Sequence, residues 1–262
     1  MGGALKRSAA RRLVELWARG KSFWRKLPAE FGGHPVCVSP DARLRHFLPG
    51  SRGFDRELLS AARALVDAQT VTWDVGANVG VFAVAAASRA RRGRVLAVEP
   101  DPWLVGLLVR TIDHRKNRDL AVNVLAAALG HECGLASLVI AERGRASNHL
   151  ASVRGREMAD GTRQTQLVPM LTLDAIAEEE GFPHLVKIDC EGAELPIVTG
   201  GQHVFEEGRP AALIEVGHDS SPKVVNWLRE RDYTIFDGPD RQPWRPDVRE
   251  TRNLLAVPTE HV

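Results

Sequence analysis

Val71-Thr72-Trp73-Asp74-Val75-Gly76-Ala77-Asn78-Val79-Gly80 is the stretch that decides the fold. Its first five residues have the β-branched and aromatic character of a short strand, and the strand ends at Gly76. The Ala-rich apolar segment 79–89 that follows reads as a buried helix. Outward from this turn the alternation continues. Upstream, Leu58, Leu59, Ala62, Leu65 and Val66 recur at helical spacing within 54–67. Downstream come a strand at 94–98 closed by Glu99-Pro100, a helix at 103–112 and a strand at 122–127. Extended pieces at 135–140 and 166–170 flank a polar stretch, 141–165, with no clear period. A helix at 172–180 follows, with Thr172 as its cap and Asp174 in its first turn. Then come a strand at 185–188, a helical turn or two at 193–199, a strand at 211–216, a helix at 222–231, and strands at 234–236 and 254–257. Strands that alternate with helices pair in parallel through right-handed crossovers, which predicts an α/β, doubly wound, Rossmann-like sheet.

Ligands of such sheets bind beyond the carboxyl ends of the strands. The turn reads D-x-G-x-N-x-G from Asp74 to Gly80. Gly76 would let the backbone approach a ligand, and Gly80 would let the next helix pack closely. The helix amino end would offer free N–H groups to an anion. Glu99, 23 residues beyond Gly76, stands where an acid accepts hydrogen bonds from ribose hydroxyls. The expected cofactor residues are Asp74, Gly76, Ala77, Asn78, Gly80, Glu99, Pro100 and Asp189. The turn departs from the G-x-G-x-x-G dinucleotide fingerprint, and the Asp74 carboxylate would repel a pyrophosphate. It suits a cofactor with a cationic amine, such as S-adenosylmethionine.

These strings, with Leu171-Thr172-Leu173-Asp174, Lys187-Ile188-Asp189-Cys190-Glu191-Gly192-Ala193-Glu194 and Asn253-Leu254-Leu255-Ala256-Val257-Pro258, resemble the FkbM family of S-adenosylmethionine-dependent methyltransferases. The resemblance runs from about Phe54 to Pro258, and its specific part is K-I-D-x-E-G-x-E. It implies a mostly parallel seven-stranded sheet of the class I methyltransferase type, with 254–257 inserted antiparallel. It also implies O-methylation of a hydroxyl on a sugar, polysaccharide or natural-product scaffold, with Asp74, Gly76, Asn78 and Glu99 on the cofactor. The sequence departs from many methyltransferases at Leu125-Ala126-Ala127-Ala128, which offers no acid for the adenine amino group. Adenine contact there would fall to backbone atoms.

Asp189, Glu191 and Glu194 crowd the end of a central strand, where carboxylates repel one another unless a cation or a shared proton intervenes. Strand alternation puts Lys187 and Asp189 on one face, so Lys187 would hold Asp189 ionised, and sends Cys190 the other way into the sheet packing. Cys37, Cys133 and Cys190 all read as small buried hydrophobes. An alcohol needs a base as its bond to carbon forms. The catalytic candidates are Asp189, Glu191 and His218, with Glu215 beside them. The alternative is a divalent ion such as Mg2+ on Asp189, Glu215 and Asp219, lowering the hydroxyl pKa directly. Asp189-Cys190-Glu191-Gly192 stands where methyltransferases of exocyclic base amines carry N/D-P-P-Y/F, which argues against that chemistry.

Charge is uneven along the chain. Residues 1–31 hold eight basic and two acidic side chains, or +6, which leaves −4 for the rest and speaks against a nucleic-acid partner. We therefore expect a basic N-terminal helical or extended cap or lid over 1–53 and the methyltransferase domain over 54–262. Leu13, Val14, Leu16 and Trp17 form an apolar stripe among arginines, the pattern of a helix packed on the main domain or lying on a membrane surface. A homodimer contact is a further use for this segment. The opening residues lack the continuous apolar core of a secretory signal, and no run approaches the ~20 apolar residues of a membrane span. With three scattered cysteines, a cytoplasmic, reducing setting is the expectation. The expected acceptor is a small molecule or saccharide hydroxyl. An RNA or protein methyltransferase, and a non-catalytic nucleoside-binding module, are the alternatives.

Overall fold

The structure, a computed structural model, describes residues 17–142, 144–151, 161–217, 219–244 and 252–262. Strand β1 (Phe23–Lys26) and strand β2 (Pro35–Val38) form an antiparallel hairpin. Helix α1 (Arg56–Leu65) leads into β3 (Val71–Val75), α2 (Val81–Arg89), β4 (Arg94–Val98), α3 (Pro102–Ile112) and β5 (Val122–Leu125). Next come β6 (Ala128–Leu129), β7 (Gly134–Ala141), β8 (His149–Leu150) and β9 (Thr162–Leu171). The chain continues through α4 (Leu173–Glu180), β10 (Leu185–Ile188), α5 (Glu194–Thr199), β11 (Ala211–Val216), α6 (Ser221–Arg229), β12 (Tyr233–Asp237), β13 (Gln242–Pro243) and β14 (Arg252–Pro258).

The main sheet runs β13-β12-β14-β11-β10-β3-β4-β5. Its β11-β10-β3-β4-β5 part is parallel, and β14 inserts antiparallel between β11 and β12, as the resemblance implied. The count is eight rather than seven, because β13 folds back antiparallel on β12 at the edge. The central strands are apolar runs because both faces are covered. One core joins β4 to α2, whose residues Val81–Ala87 are all buried, and the other, with Trp73 and Val75 of β3, lies between the sheet and α4, α5 and α6. Helix starts follow their sequence signals. Asp55, Asp101 and Thr172 each accept a backbone N–H in the first turn of α1, α3 and α4. Among the described residues no helix is long and apolar enough to cross a membrane.

Two features lie outside the simple alternation. The strand expected over 122–127 ends at Leu125, and β6 just beyond it leaves the main sheet to pair with β9. The extended pieces flanking the polar stretch become a long antiparallel hairpin, β7 with β9, in a separate sheet ordered β6-β9-β7-β8. Its inner face buries Leu138, Ile140, Leu150 and Val168. The β1–β2 hairpin, within the expected cap, buries Val36, Cys37 and Val38 in the same core as α2 and α3. Cys37 N–H donates to Thr111 Oγ1 at 2.9 Å, and Asn117 Nδ2 donates to the Pro35 carbonyl at 2.8 Å. Leu13, Val14 and Leu16 of the amphipathic stripe lie outside the described residues. Cys133, expected inside, is exposed.

Candidate active site

The β3–β10 register sets Asp74 directly beside Lys187. Both side chains are buried, and Lys187 Nζ lies 3.0 Å from Asp74 Oδ1 while donating to the Gly76 carbonyl at 3.0 Å. Burial alone would lower the Lys187 pKa, but Asp74 and Asp189 more than offset it and the net shift is upward. Burial pushes the Asp74 carboxyl up, against the pull of Lys187 and of the Ala83 amide in α2. Asp74 is thus no open partner for a cofactor's amine. Its charge is spent on an internal cation.

The turn amides are spent as well. Gly76 and Ala77 both donate to the Val98 carbonyl, at 2.9 and 3.0 Å. Asn78 N–H donates to Glu99 Oε2 at 2.8 Å, Val79 N–H to Asn78 Oδ1 at 2.9 Å, and Gly80 N–H to the Ala77 carbonyl at 2.8 Å. The free N–H groups expected at this turn are therefore not free. Gly76 adopts φ +75°, and a Cβ there would stand 2.1 Å from the Asp189 carbonyl oxygen, so its glycine serves the contact between β3 and β10. Gly80, at φ +83°, lets α2 close on α3: a Cβ would fall 2.3 Å from Leu108 Cδ1.

Beyond these strand ends opens a crevice of about 680 Å³. Gly76, Asn78, Glu99, Pro100, Asp189 and Glu191 line it, so six of the sequence-derived site residues meet at one place. Ala77 lines an adjoining cavity, whereas Asp74 and Gly80 line neither. Glu99 is 5% exposed, and besides Asn78 it accepts the Asp101 N–H at 2.9 Å. Burial raises its pKa from 4.5 to about 7, further than the two amides can pull it down. A carboxyl raised on folding contributes stability that is full below its unfolded value of 4.5 and is lost as pH climbs through about 7. Urea denaturation between pH 5 and pH 8 should show wild type losing more stability than Glu99→Gln, by on the order of 2–3 kcal/mol. Parallel profiles for the two proteins would contradict the shift.

In the same crevice Asp189 Oδ2 lies 3.7 Å from Lys187 Nζ and 3.5 Å from Arg43 Nη2. Glu215, at the end of β11, hydrogen-bonds Asp189, and burial together with that neighbouring carboxyl raises its pKa to about 7. The cation between these carboxylates is supplied by the protein itself. Among the described residues no group of three or more His, Cys, Asp or Glu could hold a metal ion, and the expected Asp189, Glu215 and Asp219 set for Mg2+ is not assembled. Glu194 turns inward instead, 3% exposed, with Oε1 accepting the Gly192 N–H at 2.7 Å. Cys190 packs against the apolar cluster of Val75 and Ile188, as expected, and also lines the crevice, and burial pushes its thiol pKa up. His218 lies outside the described residues.

The sequence reading leaves the other wall open: the arginine-rich stretch 143–163, with Asn148 and His149, stands between strands as a substrate cap or a solvated loop, and Arg43 has no assignment. Arg43 comes from the segment after β2, and Leu138, Arg145, Asn148, His149 and Leu150 come from the β7–β8 region of the second sheet. Arg145 is clamped between two buried carboxylates, Asp101 and Asp41, the latter with Nε at 3.3 Å. Arg163 grips Asp41 with both arms, at 2.9 and 2.7 Å, and Asn148 Nδ2 donates to Asp101 at 2.8 Å. Burial works against ionised Asp41, but the two arginines prevail and hold its pKa down. This network joins the segment after β2, the main sheet and the second sheet around the crevice. The arginine-rich polar stretch was its signal in the sequence.

The Methyltransferase FkbM domain matches residues 74–235. Methyltransferase sdnD of Sordaria araneosa is 26% identical over 208 residues, covering 66% of this chain and 76% of the relative. Hexuronic acid methyltransferase AglP of Haloferax volcanii is 25% identical over 183 residues, covering 69% of this chain and 68% of the relative. A solved structure, the methyltransferase FkbM of Methylobacillus flagellatus, shares the fold at TM-score 0.50 and 19% identity, over 72% of this chain and 44% of its own. This chain thus spans less than half of that structure. The family match begins at Asp74, takes in every crevice residue but Arg43 and reaches into β12, and on that extent the chain belongs to the FkbM methyltransferases.

Proposed function

We propose that the protein moves a methyl group from S-adenosylmethionine to a hydroxyl oxygen of a sugar or a glycosylated or other natural product. The observation that carries this is the polarity of the crevice. The buried carboxyl Glu99 and the carboxyl Asp189 both line it, Asp189 with Glu215 hydrogen-bonded behind it and the cations Arg43 and Lys187 beside it. The donor set fits the cofactor: Val75, Leu104, Leu138 and Leu150 give a purine apolar walls, and Glu99 offers acceptors to a ribose. When bound, that cofactor supplies an electrophilic methyl on a sulfonium. This chain's work is to align the acceptor oxygen with it and to take the oxygen's proton. Asp189 faces the crevice and takes that proton, and Glu215 tunes it from behind. A saccharide acceptor draws support from the relative named for a hexuronic acid.

Titration calorimetry with adenosylhomocysteine tests the cofactor half, and transfer of a labelled methyl to a panel of sugar and polyketide hydroxyls tests the acceptor half. Binding in the micromolar range and transfer to oxygen are expected. No binding would overturn the function, and binding with transfer to RNA or protein instead would replace the acceptor.

A further inference from the structure

Asp74 and the turn amides, the two features expected to receive a cofactor's amino-acid end, are both consumed inside the fold. An α-amino acid tail therefore needs other partners. A second cavity of about 420 Å³ adjoins the crevice and shares Arg43, Gly76, Asn78 and Asp189 with it. Arg43 is the cation common to both. Its guanidinium stands 3.7 Å from Asp55 and 3.5 Å from Asp189, and among the described residues its side chain makes no hydrogen bond. The other arginines nearby are committed: Arg45 is paired with Asp55, and Arg145 with Asp41 and Asp101. Arg43 is ion-paired as well, but at 3.7 and 3.5 Å and without a hydrogen bond, so its fork of five donors has room for a further acceptor at the junction, beside carboxylates that suit an ammonium group.

On the reading of the crevice as an S-adenosylmethionine site, we infer that the second cavity is the subsite for the cofactor's amino-acid end and that Arg43 binds its carboxylate. A bidentate guanidinium matches a carboxylate in plane and spacing, which a lysine cannot reproduce. The segment after β2 then completes the cofactor site, which the strand–turn–helix unit alone leaves open at this end.

Two ligands that differ at that end provide the test: adenosylhomocysteine, which carries the amino acid, and 5′-methylthioadenosine, which lacks it. In Arg43→Met, calorimetry should show adenosylhomocysteine affinity falling about 10- to 100-fold, the usual worth of a hydrogen bond to a charged group. Methylthioadenosine affinity should stay unchanged, which also certifies the fold. Arg43→Lys should fall between, and it stands in if the methionine variant does not fold. Equal effects on the two ligands, or none on either, would overturn the inference. A wild-type protein that binds neither ligand would instead overturn the proposed function.

Discussion

Lys187→Met should cost about 3–5 kcal/mol of folding stability, the usual penalty for removing one partner of a buried ion pair. The lysine lies under the turn with its side chain 4% exposed, and Asp74 beside it has none of its side chain exposed. Removing the ammonium leaves Asp74 without its counter-charge in a place water does not reach, and the Gly76 carbonyl loses its donor. Against a typical total of roughly 5–15 kcal/mol, that is a large fraction. Urea denaturation at pH 7 of wild type, Lys187→Met, Asp74→Asn and the double variant should give strong coupling. The double variant should lose less than the two single losses together, because no lone charge remains buried. Acid should also shrink the Lys187→Met deficit, since protonated Asp74 no longer needs a cation. A Lys187→Met protein within about 1 kcal/mol of wild type, with additive losses, would show that the pair carries little.

Much of this arrangement was legible in the sequence because buried parallel strands are written as short apolar runs and their turns as glycines. The Asp74–Gly80 turn, the Glu99 position and the Lys187–Asp189 face all follow from local periodicity, and the structure gathers Gly76, Asn78, Glu99, Asp189 and Glu191 on one crevice. What stayed hidden depends on which strand lies beside which. Asp74 meets Lys187 only through the β3–β10 register, which no local pattern encodes. The amides of the turn are spent on Val98, Glu99 and Asn78, a matter of how tightly the chain folds over β4. The β7–β9 pairing joins residues far apart in the chain, so its alternating residues were visible as extended pieces while their sheet was not. Arg43 carries no local signal at all. Its place follows from the β1–β2 hairpin docking on α3, which brings the next residues over the crevice.

Glu215→Gln should lower kcat by about 10²–10⁴-fold, the range lost when a positioned base is disabled, with adenosylhomocysteine affinity unchanged. Burial and the neighbouring Asp189 carboxyl together raise the Glu215 pKa to about 7. Below that pH Glu215 holds a proton; above it, the ionised Glu215 strengthens its neighbour Asp189, which faces the crevice, as acceptor of the hydroxyl proton. The wild-type rate should therefore rise with pH through about 7. Glu215→Gln should remove that limb, since the amide cannot ionise. Asp189→Asn should bring transfer close to background at every pH, because it removes the carboxylate that takes the proton. A merely structural Glu215 would slow the enzyme or weaken its fold but leave the limb at the wild-type pH. If the limb survives Glu215→Gln, the proton goes to a group outside this pair.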